Sequence, residues 1–160
     1  MSRSLHLTIS SVNLIISSAQ IGALEVDVAT DPRELVTSYI QAVGERRLED
    51  LPPLLESDAE FTLGDNTIRG RDGFVGAFRR LLPIIERNAI RHLFVDGDEA
   101  CVVYDFVTNT PVGPVLSVEY IKLRNGLIAS STLVFERLHW PEVLTFLRER
   151  EETQAASVPA

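Results

Sequence analysis

The chain has one cysteine, one tryptophan and three histidines among its 160 residues. A lone Cys101 excludes an internal disulfide and any cysteine-rich metal site. It also fits a reducing compartment, so the expected location is cytoplasmic. The histidines are scattered too widely to suggest a ligand cluster, and neither a metal nor a cofactor is expected. Positive charge is short as well: 15 Lys and Arg face 23 Asp and Glu, a formal net charge of -8. Basic residues do not cluster beyond pairs such as Arg46-Arg47 and Arg79-Arg80. That argues against a phosphate-binding surface, so no nucleic acid is expected as a partner. No apolar run approaches a membrane span, so no membrane is expected either. Internal repeats and low-complexity segments are missing.

What is present suffices for one core, since 45% of the residues are hydrophobic. This composition and length predict a single domain with tails. The opening stretch "MSRSLHLTISSVNLIISSAQIGALEVDVAT" places Arg3 ahead of a moderately apolar segment, a faint likeness to a secretory signal. Ser, Thr, Asn and Gln interrupt it and leave no continuous apolar region. Residues 1–30 are therefore read as an N-terminal arm, either mobile or swapped between copies. Residues 31–150 are read as the folded domain and 151–160 as a disordered tail.

The signals become definite at "DPRELVTSYIQAVGERR". Asp31 is an N-cap, Pro32 suits the first helical position, and Leu35, Ile40 and Val43 repeat at helical spacing. A second short helix is expected in "LEDLPPLLES" and a strand in "DAEFTLG". A short extended piece follows in "TIRG", then a third helix in "RDGFVGAFRRLLPIIER", which Pro83 ends or kinks. Four strands come next, separated by the turns "GDE", "TPVGP" and "RNG", and predict an antiparallel meander. A last helix covers "PEVLTFLRER", with His139 assigned to its cap. Helices first and a sheet afterwards make an α+β fold in which the sheet curls around the helices.

The segments "VTSYIQAVGERRLEDLPPLLESDAEFTLGDNTIRGRDGFVGAF" and "FVDGDEACVVYDFVTNTPVGPVLSVEYIKLRNGLIASSTLVFE" resemble the NTF2-like superfamily, in particular its SnoaL-like branch. The order of helices, "SDAEF", "RGRDGF" and the "VEYIKLRNGLI" hairpin carry the resemblance. It implies a cone-shaped α+β barrel, with a curved antiparallel sheet wrapped around three N-terminal helices and an apolar pocket at one end. It also implies a homodimer. The superfold hosts isomerases, cyclases, lyases and non-catalytic binders alike, so function has to be read from the site.

Asp105 sits in the middle of the apolar strand "CVVYDFVTN", where a carboxylate needs a partner, a hydrogen bond or a proton. If the "TPVGP" turn is centred near Val112, Asp105 faces Glu119 on one apolar side of the sheet; a slip of one residue separates them. Opposed carboxylates repel until one holds a proton, which would give a general acid beside a general base. The alternative is that they are structural acceptors. Tyr39 matches, by resemblance, the hydrogen-bond-donating tyrosine of ketosteroid-isomerase-like members, with Glu119 near their protonated acid. Leu63 stands where those members carry their base. Asp105 coincides with the aspartate of limonene-epoxide-hydrolase-like members, but Val103 and Leu133 replace two further charged residues of that set. His92 is a possible acid or base by analogy with SnoaL-like cyclases. Parity and position assign the pocket walls to Phe61, Leu63, Phe78, Leu82, Leu133 and Phe135, suited to a small apolar ligand. The same parity places Val102, Tyr104, Phe106, Val118, Tyr120 and Val134 on the outer face, where a homodimer would cover them. Two functions stay open. One is a cofactor-independent isomerase, cyclase or lyase acting by acid–base chemistry. The other is a non-catalytic ligand-binding or dimeric interaction protein.

Overall fold

The computed structural model describes residues 31–138 and 140–156, so the expected arm over residues 1–30, the cap role of His139 and residues 157–160 lie outside the described residues. Helix α1 (Pro32–Gly44) starts where the sequence predicts: Asp31 Oδ1 accepts from the Arg33 backbone N–H at 2.9 Å and Pro32 begins the helix. Leu35, Val36, Tyr39, Ile40 and Val43 form one buried stripe along it. The helix lies so close to the sheet that a Cβ on Gly44 would meet the Asn88 backbone nitrogen at 2.4 Å. Asn88 also donates its side-chain amide to the Ile40 carbonyl at 2.9 Å, which fastens the same contact.

The expected second helix is two 3-10 turns instead, Leu48–Asp50 and Pro52–Leu54. Pro52 and Pro53 supply no backbone donors, so the segment closes single tight turns rather than a helix. Strands β1 (Leu55–Leu63) and β2 (Asn66–Arg69) make a hairpin, and α2 (Arg71–Arg79) packs over it. Strands β3 (Ile85–Asp96), β4 (Glu99–Thr108), β5 (Pro114–Arg124) and β6 (Leu127–Phe135) follow as the predicted meander. Helix α3 (Trp140–Ala156) runs past Arg150, so residues 151–156 are helical rather than the start of a disordered tail. Among the described residues no helix is long and apolar enough to cross a membrane.

All six strands form one curved sheet in the order β2-β1-β6-β5-β4-β3. The α+β architecture is the expected one, with two refinements. β1 pairs with β6 in parallel, so the sheet is mixed rather than wholly antiparallel. β2 and β3 are the two ends of the strand order, so the cone is open. Inside it Tyr39, Phe61, Phe74 and Phe78 join α1, α2 and β1, with ring centroids 5.0–6.2 Å apart. Burial of each phenylalanine contributes about 1.5–3 kcal/mol.

The β4–β5 hairpin has a different register from the expected one. Asp105 opposes Leu116, and Glu119 opposes Val102. The turn lies over Asn109–Val112 and is closed by Thr108 and Gly113, whose N–H···O=C bond is 3.1 Å. The Thr108 hydroxyl also reaches the Gly113 carbonyl at 2.9 Å, and Gly113 takes a positive φ of 70° that favours glycine. This displacement is by an odd number of residues, so it moves Asp105 and Glu119 to opposite faces of the sheet. The same correction turns Val102, Tyr104 and Phe106 inward, where they are buried, and leaves Val118, Tyr120 and Val134 outside.

Candidate functional site

Glu119 is the centre of the interior polar structure. The residue is 1% exposed, on the inward face of β5 between Ser117 and Ile121. Three hydroxyls from three elements point at it. Tyr39 on α1 donates to Oε2 at 2.8 Å, Ser131 on β6 donates to Oε2 at 2.6 Å, and Tyr104 on β4 donates to Oε1 at 2.6 Å. Burial pushes the Glu119 carboxyl above its ordinary value, while the hydroxyls of Ser131, Tyr104 and Tyr39 pull it back only in part. The tyrosines move the same way: burial first, and the Glu119 charge second, hold Tyr39 and Tyr104 well above the usual phenol range.

When Glu119 is ionised, every hydroxyl proton is spent on it. Tyr104 then presents only lone pairs to anything beside it. When Glu119 is protonated its own O–H needs an acceptor, and one hydroxyl is released to donate elsewhere. The carboxyl proton therefore frees one of the hydroxyls of Tyr39, Tyr104 and Ser131 to donate elsewhere.

Tyr104 matters because it lines a cavity of about 960 Å³. The walls come from α1, β1, β2, α2, β4, β5, β6 and α3. Phe61, Leu63, Phe78, Leu133 and Phe135, all expected pocket residues, stand in the wall, and Leu82 does not. Tyr104 and Ser117 provide the hydroxyls, and Ser117 Oγ donates to the Val115 carbonyl at 3.2 Å. One side is closed by α3, whose Trp140, Leu144 and Leu147 face the cavity; Trp140 packs on Phe135 with centroids 4.6 Å apart.

The other residues singled out from sequence sit elsewhere. Asp105 is on the outer face and forms a two-pronged ion pair with Arg91, at 2.8 Å to Oδ2 and 2.7 Å to Oδ1. That pairing is how the apolar strand accommodates a carboxylate. His92 also faces outward, opposite Val103 and stacked on Phe94 at 6.2 Å, because a bulge at Arg91 shifts the alternation of β3 by one residue. Tyr39 is buried in the Glu119 cluster and does not line the cavity. The structure thus unites Tyr39 with Glu119 and separates both from Asp105 and His92. Sequence reasoning missed Tyr104, Ser117, Ser131 and the α3 wall. A serine at apolar parity, as in Val115-Ser117-Glu119-Ile121, was the available signal for Ser117. Among the described residues no group of His, Cys, Asp and Glu could hold a metal ion.

The sequence profile of the SnoaL-like domain matches residues 36–131. The chain belongs to the SnoaL-like family. No match was found among curated proteins. Solved structures with this fold include a de novo designed protein with a curved β-sheet, 20% identical, with a TM-score of 0.63 over 73% of this chain and 93% of that one. A Kribbella flavida DSM 17836 protein with a provisional ketosteroid isomerase assignment is 20% identical, with a TM-score of 0.58 over 67% of this chain and 84% of that one. A Sinorhizobium meliloti protein with a provisional polyketide cyclase assignment is 18% identical, with a TM-score of 0.57 over 63% of this chain and 94% of that one. At such identity the likeness establishes the SnoaL-like fold and leaves chemistry to the residues.

The Glu119 cluster sets a pH dependence of stability. Its folded pKa is raised, so its contribution to stability is fully present below the unfolded carboxyl value of about 4.3 and is lost as pH rises through the folded value. Urea unfolding of wild type and Glu119→Gln across pH 4 to 9 is expected to show wild type losing stability relative to the variant as pH rises. Glu119→Leu, which strands three hydroxyls, is expected to cost about 2–4 kcal/mol.

Proposed function

We propose that this SnoaL-like protein is a binding protein for a small, mostly apolar molecule. The molecule is held in the cavity by shape and by the Tyr104 and Ser117 hydroxyls. The observation that carries the reading is the wall itself, which among the described residues includes no Asp, Glu or His. Leu63 and Leu133 occupy it where catalytic relatives were expected to carry charge. An enolisation needs a proton acceptor beside the substrate carbon, and such a wall offers none. Its volume falls within the range of small-molecule sites.

A second reading, a cofactor-independent isomerase, cyclase or lyase, is favoured by one observation. Tyr104 backed by a carboxyl with a raised pKa could donate to a developing oxyanion when Glu119 is protonated. Binding is tested with the neutral fluorophore N-phenyl-1-naphthylamine. Wild type is expected to enhance its fluorescence and Leu133→Trp to abolish the enhancement; unchanged enhancement in the filled variant refutes the cavity as the site. Tyr104→Phe is expected to weaken 1-naphthol about three- to tenfold and leave naphthalene unaffected. Turnover of a β,γ-unsaturated ketone that disappears in Glu119→Gln would replace binding by catalysis.

The outer sheet face supports a homodimer as the partner. Phe94 is 61% and Val134 64% exposed, with Leu116 and Tyr120 beside them, and water contact with these side chains is costly. Val134→Lys is expected to shift a dimer to monomer in analytical ultracentrifugation; a wild-type protein that stays monomeric at high concentration contradicts the assignment.

A further inference from the structure

Two cations stand in the wall of a cavity whose other lining residues are uncharged. Arg80 follows the last turn of α2 and Arg148 lies on α3, both exposed at the rim. Several other arginines of this acidic chain pair with carboxylates, among them Arg69 with Glu60, Arg91 with Asp105, and Arg124 with Glu56 and Asp58, whereas Arg71 bonds only the Leu55 carbonyl. Among the described residues Arg80 and Arg148 form no ion pair. Arg148 makes only a 3.3 Å bond from Nη2 to the Thr145 hydroxyl, which leaves its remaining N–H groups available. Both guanidiniums thus line one cavity, from the end of α2 and from α3, without a paired carboxylate among the described residues.

We infer that the ligand is an amphipathic organic anion, with its apolar body inside the cavity and a single anionic head, of which a carboxylate is the simplest, between Arg80 and Arg148. The inference rests on the binding reading above and specifies its ligand class. A neutral apolar molecule gains nothing from guanidinium groups, whereas a carboxylate gains charge-assisted hydrogen bonds of matching planar geometry. Local cations are also what an anion requires to approach a protein of net charge -8. The rim is exposed, so the head stays partly hydrated and the selectivity weakens with salt.

The test compares decanoate with decan-1-ol, which share a chain and differ in the head, as competitors of N-phenyl-1-naphthylamine at pH 8 and low salt. Wild type is expected to prefer decanoate about tenfold, as a charge-assisted contact warrants. In Arg80→Gln/Arg148→Gln that preference is expected to disappear with decan-1-ol affinity unchanged, and 0.5 M NaCl is expected to reduce it in wild type. Equal binding of the two by wild type, or a preference that survives in the double variant, overturns the anion assignment and leaves cavity binding intact. Failure of the fluorophore and of both competitors to bind overturns the cavity reading itself, and this inference with it.

Discussion

Burying Glu119 removes a carboxyl group from water, and three hydroxyls supplied by α1, β4 and β6 make that burial tolerable. An isolated carboxylate in the same place would cost several kcal/mol, roughly as much as the whole stability margin of a small domain. The cluster also constrains geometry. A one-residue slip of β5 against β4 would turn Glu119 outward and leave Tyr39, Tyr104 and Ser131 without their acceptor, so satisfying the carboxyl and holding the register are one constraint. The position of the cavity follows, because the inward parity that brings Tyr104 to Glu119 also brings Phe106 and Val115 to the cavity wall.

The cavity is therefore shaped by two kinds of group. Aromatic and aliphatic side chains of β1, α2, β6 and α3 give it volume and dryness, and the hydroxyls of Tyr104 and Ser117 give it polar contacts. Glu119 does not line the cavity and touches its wall through the Tyr104 hydroxyl, which donates to it. SnoaL-like folds accommodate several chemistries because the sheet and helices define a container while the lining defines its use. Among the described residues this lining includes no Asp, Glu or His, and its two charged members, Arg80 and Arg148, are exposed.

Much of the fold was legible. Asp31-Pro32 mark the start of α1 by a physical requirement of helix N-termini, and Asn125-Gly126, both at positive φ, mark the β5–β6 turn. Tyr39 and Glu119 were both singled out, and they meet. Two features hid the rest. The β4–β5 turn is set by the Thr108 hydroxyl and by Gly113, and "TPVGP" by itself allows more than one centre; an odd displacement exchanges every residue between faces. The Arg91 bulge has the same effect on β3 and explains why His92 faces outward. Both are local backbone events without a hydrophobic signature. The part played by α3 depends on where the helix docks, which periodicity does not encode.

The account depends most directly on the protonation of Glu119 inside its cluster of hydroxyls. A carbon-13 NMR titration of the glutamate carboxyls, with the Glu119 resonance assigned through Glu119→Gln, reads this group alone. The account predicts a Glu119 midpoint above that of the exposed glutamates, with Tyr39 and Tyr104 still protonated where exposed phenols titrate. A Glu119 midpoint at or below the ordinary carboxyl value would contradict it.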